Sequence, residues 1–245
     1  MKSLLICFWG ILLFFDAAYA ALPQNSRAQL FSEKEGLLMA LSLPLENRKV
    51  VLKKMSQKQK EYLKVLALDR HQSLQVRWRA LIALGFVKPR GAKKVIVKAL
   101  RSREWFMRNA ALLAASYFER DWALFWAGKL LDDKALVVRT AAVDVIKKLK
   151  GREYKALLWK KLYYHKNFHK GEGLWIRKHI IQALSEFSTR ADKVELLRVL
   201  RSKDRKLYPY AISALERIMP YSYNARTSLR KKRQYWLHKY FKTAL

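Results

Sequence analysis

Acidic residues are what this chain is short of. Only 19 Asp and Glu stand against 51 Lys and Arg in 245 residues, which leaves a formal net charge of +32. Such an imbalance bears on partners and solubility rather than on fold. The partners it points to are anionic: nucleic acid, lipid headgroups, anionic envelope polymers and acidic proteins. Cysteine is rarer still, since Cys7 is the only one, and this excludes a disulfide framework. With 8 glycines and 5 prolines, no Gly/Ser-rich or Pro-rich linker divides the chain. No Gly-rich phosphate loop, nucleophile elbow or Ser-His-Asp order can be traced. Long apolar runs are also missing, except one from Leu4 to Phe15.

That run follows Lys2 and precedes Ala18-Tyr19-Ala20, the positive, hydrophobic and small-residue order of a secretory signal peptide. It is shorter than the roughly 20 residues of a membrane span. Cleavage after Ala20 is therefore expected rather than anchoring, giving an exported chain without a transmembrane span, periplasmic if the source is a Gram-negative bacterium. Cys7 lies too early, among the wrong neighbours, for a lipoprotein box. A repeat array of this length buries a core without disulfides, so the missing cysteines do not argue against export.

One short pattern returns five times. It runs from Val76-Arg77 to Leu84, Met107-Arg108 to Ala115, Val138-Arg139 to Ile146, Ile176-Arg177 to Leu184 and Leu207-Tyr208 to Leu215, with starts separated by 31, 31, 38 and 31 residues. A fixed period of this size marks a repeat array. In each copy the first apolar residue, the small residue four on, and the apolar pair seven and eight on share one helical face. Ala80, Ala111, Ala142, Ala183 and Ala211 let neighbouring helices approach closely. A second apolar-periodic stretch precedes every copy, so each unit is predicted to be a helix pair joined by a short turn.

The apolar-Arg-x-x-Ala-x-x-Ala-Leu pattern resembles the short HEAT repeats of the bilin-lyase type, over residues 58 to 219. The resemblance implies an all-α fold, an α-solenoid of five stacked helix-turn-helix repeats. It also implies that a turn Asp and the second-helix Arg bond between adjacent repeats, which assigns structural roles to Arg77, Arg108, Arg139, Arg177 and Asp132. Seven positions before the Arg column stand Arg70, Arg101, Asp132, Lys170 and Arg201. Only one copy keeps the acid there, so an incomplete ladder is expected. The last copy has Tyr208 in place of the Arg and Pro209 in its first turn, where proline is tolerated.

The flanks lack the signature and read as caps. The predicted organisation is a signal peptide (1–20), N-terminal capping helices (21–57), the array (58–219) and a basic C-terminal capping helix (220–245), all in one elongated domain. The tail places Arg230, Lys231, Lys232 and Arg233 beside Leu229, Trp236, Leu237, Tyr240 and Phe241. Such a basic amphipathic helix can cap the array or lie on an anionic membrane.

The resemblance to HEAT arrays implies that the second helices line the concave surface, with Trp78, Asn109, Thr140, Lys178 and Pro209 in one exposed row, Trp78 being the candidate contact residue. That row is not basic. Cations concentrate on first helices and turns, with Arg70, Arg101, Lys170 and Arg201 as the most regular column and the candidate binding edge. Most other tryptophans, Trp105 among them, are assigned to core packing. The fourth unit is seven residues longer than the others, and the excess holds His165, His169 and Glu172. Gly171 and Gly173 make that segment a loop rather than a helix, so the histidine spacing carries no metal-ligand geometry, although an insertion in one repeat is a common place for a binding loop. His71 and His179 have no acid at useful spacing.

These features predict a non-catalytic, exported, basic scaffold or adaptor, without metal or cofactor, that binds a protein or an anionic envelope or membrane-surface component. A nucleic-acid-binding or modifying solenoid is the alternative, against which the export signal weighs. A lyase- or hydroxylase-like enzyme rests on family resemblance alone, and the His-Glu dipeptide of HEAT-type hydroxylases is absent.

Overall fold

The computed structural model describes residues 33 to 241. The segment expected to be a signal peptide, residues 21 to 32 of the expected N-terminal cap and residues 242 to 245 lie outside them. The described residues form an all-α array of helix pairs, interrupted by one short hairpin. It forms two compact units, one through Ala92 and one from Lys93, so the array foreseen as a single elongated domain is described in two parts.

In the first unit, α1 (Glu33–Ser42) and α2 (Leu45–Lys54) pack on the pair α3 (Gln57–Leu68) and α4 (Leu74–Val87). Local sequence sets the boundaries. Ser56 and Gln59 form a reciprocal capping box at the start of α3, and the Ser73 hydroxyl accepts the Val76 N–H at the start of α4, each satisfying a donor that the first helical turn leaves open. Arg79 donates to the carbonyls of Leu41 and Ser42, and Arg48 to that of Leu43. Guanidinium groups thus cover the end of α1, where orphan carbonyls and the negative end of the helix dipole favour cations. Burial, followed by the charge of Arg79, lowers the Arg48 pKa from the usual arginine value.

The second unit holds four pairs: α5 (Ala92–Leu100) with α6 (Trp105–Ala115), α7 (Arg120–Leu130) with α8 (Leu136–Lys148), α9 (Lys155–Leu162) with α10 (Ile176–Phe187), and α11 (Lys193–Arg201) with α12 (Tyr208–Ile218). The second helices stack in order, α6 on α8, α8 on α10 and α10 on α12. The contact alanines Ala111, Ala142, Ala183 and Ala211 are fully buried, as are Val138, Ile146, Leu184 and Leu215. The apolar face read at 3.6 residues per turn is therefore the face that builds the core.

The array ends in α13 (Leu229–Phe241), which packs on α11 and α12. Trp236 is the anchor, with 0 % exposure. Its indole N–H donates to the Tyr223 hydroxyl at 2.8 Å, and that hydroxyl donates to Glu216 at 2.7 Å. Lys232 completes the cluster with an ion pair to Glu216. Leu229, placed on the apolar side by its spacing, is exposed instead, because it opens the helix where no preceding turn covers it.

Burial, then donation to the Glu216 carboxylate, pushes the Tyr223 hydroxyl well above the ordinary tyrosine value. A folded-state value above the unfolded one gives stability that is complete below pH about 10 and lost as pH rises beyond it. Alkaline titration monitored by near-UV circular dichroism is expected to loosen the cap in that window. In Tyr223→Phe this part of the loss should be absent.

Candidate anion-binding turn edge

Four short turns connect first to second helices in the second unit, and the buried arginines of the second helices hold them in place. Arg108 donates from Nε and Nη2 to both oxygens of Asp133, at 2.6 and 2.7 Å, and from Nη1 to the carbonyls of Ser102 and Arg103. Arg139 repeats the inward half of this arrangement on the carbonyls of Asp133 and Lys134. Across to the next repeat it reaches the Asn167 side chain at 3.0 Å and the Lys166 carbonyl at 2.7 Å. Arg177 donates to Asp204 at 2.5 Å and to the Leu162 carbonyl. Bidentate guanidinium–carboxylate geometry is among the strongest of protein hydrogen bonds. Burial lowers the pKa of Arg177, and the Asp204 carboxylate partly offsets this. Arg139 is likewise lowered by burial and supported by Asp133.

Two sequence expectations are corrected here. The ladder is not confined to one acid-bearing copy, because Asn167 and Asp204 serve where the expected column carries cations. Asp132 is not the ladder acid. Its neighbour Asp133 also accepts the Ala135 N–H, an Asx turn that aims the carboxylate inward. Asp132 faces outward and pairs with Lys161. In the last repeat Tyr208 takes over the inward bond and donates to the Ser202 carbonyl, while Arg233 of α13 lies 5.0 Å over its ring and bonds the Leu200 carbonyl. Arg77, on α4 of the first unit, is also buried.

The seven-residue insertion is a two-stranded hairpin, β1 (Phe168–His169) and β2 (Glu172–Gly173), in which His169 faces Glu172 across the register. Lys170 and Gly171 make its tip with φ of 47° and 80°, conformations that a two-residue hairpin turn requires. His165, His169 and Glu172 are all exposed. No group of three His, Cys, Asp or Glu side chains among the described residues could hold a metal ion. What the insertion delivers inward is Asn167, which is buried, and Phe168, whose ring lies 4.4 Å from the Arg177 guanidinium. Gly173 sits against the Arg177–Asp204 pair, where a Cβ would meet Asp204 Oδ2 at 2.7 Å.

Outward, the turns present cations. Arg101, Arg103, Lys134, Lys170, Arg201, Lys203, Arg205 and Lys206 are exposed, with the Arg101 guanidinium 5.7 Å over the Trp126 ring. Arg70, in the first unit, is exposed as well. First helices contribute less than their lysine content implies. Lys161 is buried against Asp132 and the Tyr164 ring, Lys155 pairs with Asp192, and Lys93 pairs with Glu119. Burial raises the Asp192 pKa, but the bonds from Lys155, the Thr189 N–H and Trp159 outweigh it and leave the carboxyl below its usual value. In the tail, Arg230 and Lys231 are exposed, whereas Lys232 and Arg233 face the array.

The row expected to line the second-helix face is only partly open. Asn109 and Thr140 are buried, Lys178 and Pro209 are exposed, and Trp78 is half-buried. Thr140 turns its hydroxyl back to the Leu136 carbonyl. Trp105 and Trp175, by contrast, are 51 % and 50 % exposed. For Trp105 this corrects a core assignment: it is the first residue of α6 and precedes the inward turn. His179 finds an acid that spacing did not offer, bonding Asp144 of α8 through Nδ1 at 2.7 Å, with the Trp175 ring edge against it.

No protein-family model matches this chain, and no curated protein sequence does. Among solved structures it is similar to the complex of CpcE and CpcF of phycocyanin lyase from Nostoc sp. PCC7120, with 14 % identity, 92 % of this chain and 90 % of that chain covered, and a TM-score of 0.43.

Proposed function

We propose that the protein is an exported, non-catalytic adaptor of the HEAT-repeat type whose turn edge binds an anionic partner, either an acidic protein or an anionic component of the envelope. One observation carries this reading. In the second unit the turn acids Asp133 and Asp204 are drawn inward by Arg108 and Arg177, while the turn cations stay on the surface. The edge therefore offers more positive charge than its sequence composition implies. Export rests on the Lys2, Leu4 to Phe15 and Ala18-Tyr19-Ala20 order.

Reversing Arg101, Lys170 and Arg201 of the second unit to Glu lowers the formal charge from +32 to about +26. Binding to dextran sulfate is expected to fall, with elution at clearly lower salt and an unchanged melting temperature. Unchanged elution would refute the edge as the footprint. The mass of the N-terminus in fractionated native cells tests export. A chain beginning at Ala21 in the exported fraction is expected, and an intact N-terminus in the cytosol would make nucleic acid the leading partner. Phosphate binding would then show as a steep loss of affinity with rising salt.

A further inference from the structure

Two indoles lie beside the turn cations without any role in the core. Trp105 opens α6 and is 51 % exposed, and Trp175 immediately precedes α10 and is 50 % exposed. The Trp105 ring meets Phe106 edge-on and the Trp175 ring meets His179 edge-on, so each is held on a rigid helix start. Between them α8 begins with the half-buried Leu136. Helix axes that pack at about 8 to 10 Å put the two indoles two helix spacings apart along the same edge. The turns just before α6, α8, α10 and α12 carry the exposed cations Arg103, Lys134, Lys170 and Lys203. Two exposed acids also lie on this edge, Glu172, set across from His169 in the hairpin, and Asp132, whose charge is met by Lys161.

We infer that this edge of the second unit docks on an anionic phospholipid surface, with Trp105 and Trp175 at headgroup depth and Arg103, Lys134, Lys170 and Lys203 against the lipid phosphates. The inference rests on the proposed anion-binding reading and names the partner. Indole rings partition to the boundary between headgroups and acyl chains, and basic side chains are drawn to the negative surface beside them. A soluble polyanion would reward the cations but leave the indoles in water. A second copy of the chain would bring its own +32 charge against the same cations. A lipid surface answers both features and requires no match to the repeat spacing.

The test is flotation of the full chain with vesicles of equal parts phosphatidylglycerol and phosphatidylcholine, against vesicles of phosphatidylcholine alone. The preference for the anionic vesicles isolates the edge from the N-terminal apolar run, which all variants share. Trp105→Ser with Trp175→Ser should weaken that preference about tenfold, and reversing the four turn cations to Glu should weaken it at least a hundredfold, as roughly 1 kcal/mol per basic residue implies. The tryptophan variant should hold dextran sulfate as the wild type does, with the same melting temperature. Wild-type vesicle binding by that variant would overturn the docking surface. A wild-type chain that holds dextran sulfate but shows no preference for phosphatidylglycerol would refute the lipid partner and leave the adaptor reading standing. A chain that binds neither would refute both.

Discussion

Replacement of Arg108 by alanine is expected to destabilise the second unit by about 3 to 5 kcal/mol, the cost of removing one partner from a buried ion pair. The side chain holds two carboxylate oxygens of Asp133 and two carbonyls of its own turn. Its loss strands a carboxylate whose residual bond is the Ala135 N–H, together with the Ser102 and Arg103 carbonyls. Urea titration followed by circular dichroism reads the effect. The double substitution Arg108→Met with Asp133→Leu should be less destabilised than Arg108→Ala, because no charge is then left unpaired. If the two measured alike, the ion pair would not be what holds the turn.

Truncation of Trp236 to alanine is expected to cost about 3 to 5 kcal/mol, the range for removing a buried aromatic side chain. It removes the largest fully buried side chain of the described residues. It also takes away the donor to Tyr223, whose hydroxyl links α13 to Glu216 on α12. Hydrogen exchange should show the damage concentrated in α12 and α13, with α6 and α8 close to wild type, since units of a repeat array answer chiefly to their neighbours. Uniform loss of protection would contradict a capping role for α13.

The helix pairs were legible because the apolar period that marks them is the same geometry that buries them, and each of the five second helices lies where its spacing places it. The ladder was only half legible. Its arginines stand in a fixed column, but their acceptors do not: Asp133, Asn167 and Asp204 reach the arginines through turns of different length. Of the adjacent pair Asp132 and Asp133, backbone geometry rather than sequence decides which turns inward. Asn167 was hidden by the insertion that carries it. Trp105 shares a column with Leu74, Leu136 and Leu174 and so reads as core, yet a residue that opens a helix has no preceding turn against which to pack. The pairing of His179 with Asp144 crosses 35 residues, and no local spacing announces it. The exposed turn cations were visible in composition, but not the withdrawal of the nearby acids.

The arginine ladder also has a direction. Arg108, Arg139 and Arg177 are each finished by the turn of the repeat that follows. Tyr208 is satisfied within its own turn at Ser202, and α13 covers it with Arg233. During synthesis from the N-terminus, Arg108, Arg139 and Arg177 therefore each emerge before the turn that finishes them, and a break after α8 or α10 leaves the last arginine with only the carbonyls of its own repeat. In the last repeat no side chain waits in this way, because Tyr208 and Arg233 both bond carbonyls of residues already made, so an array cut short after α8 or α10 ends on different chemistry from the array described.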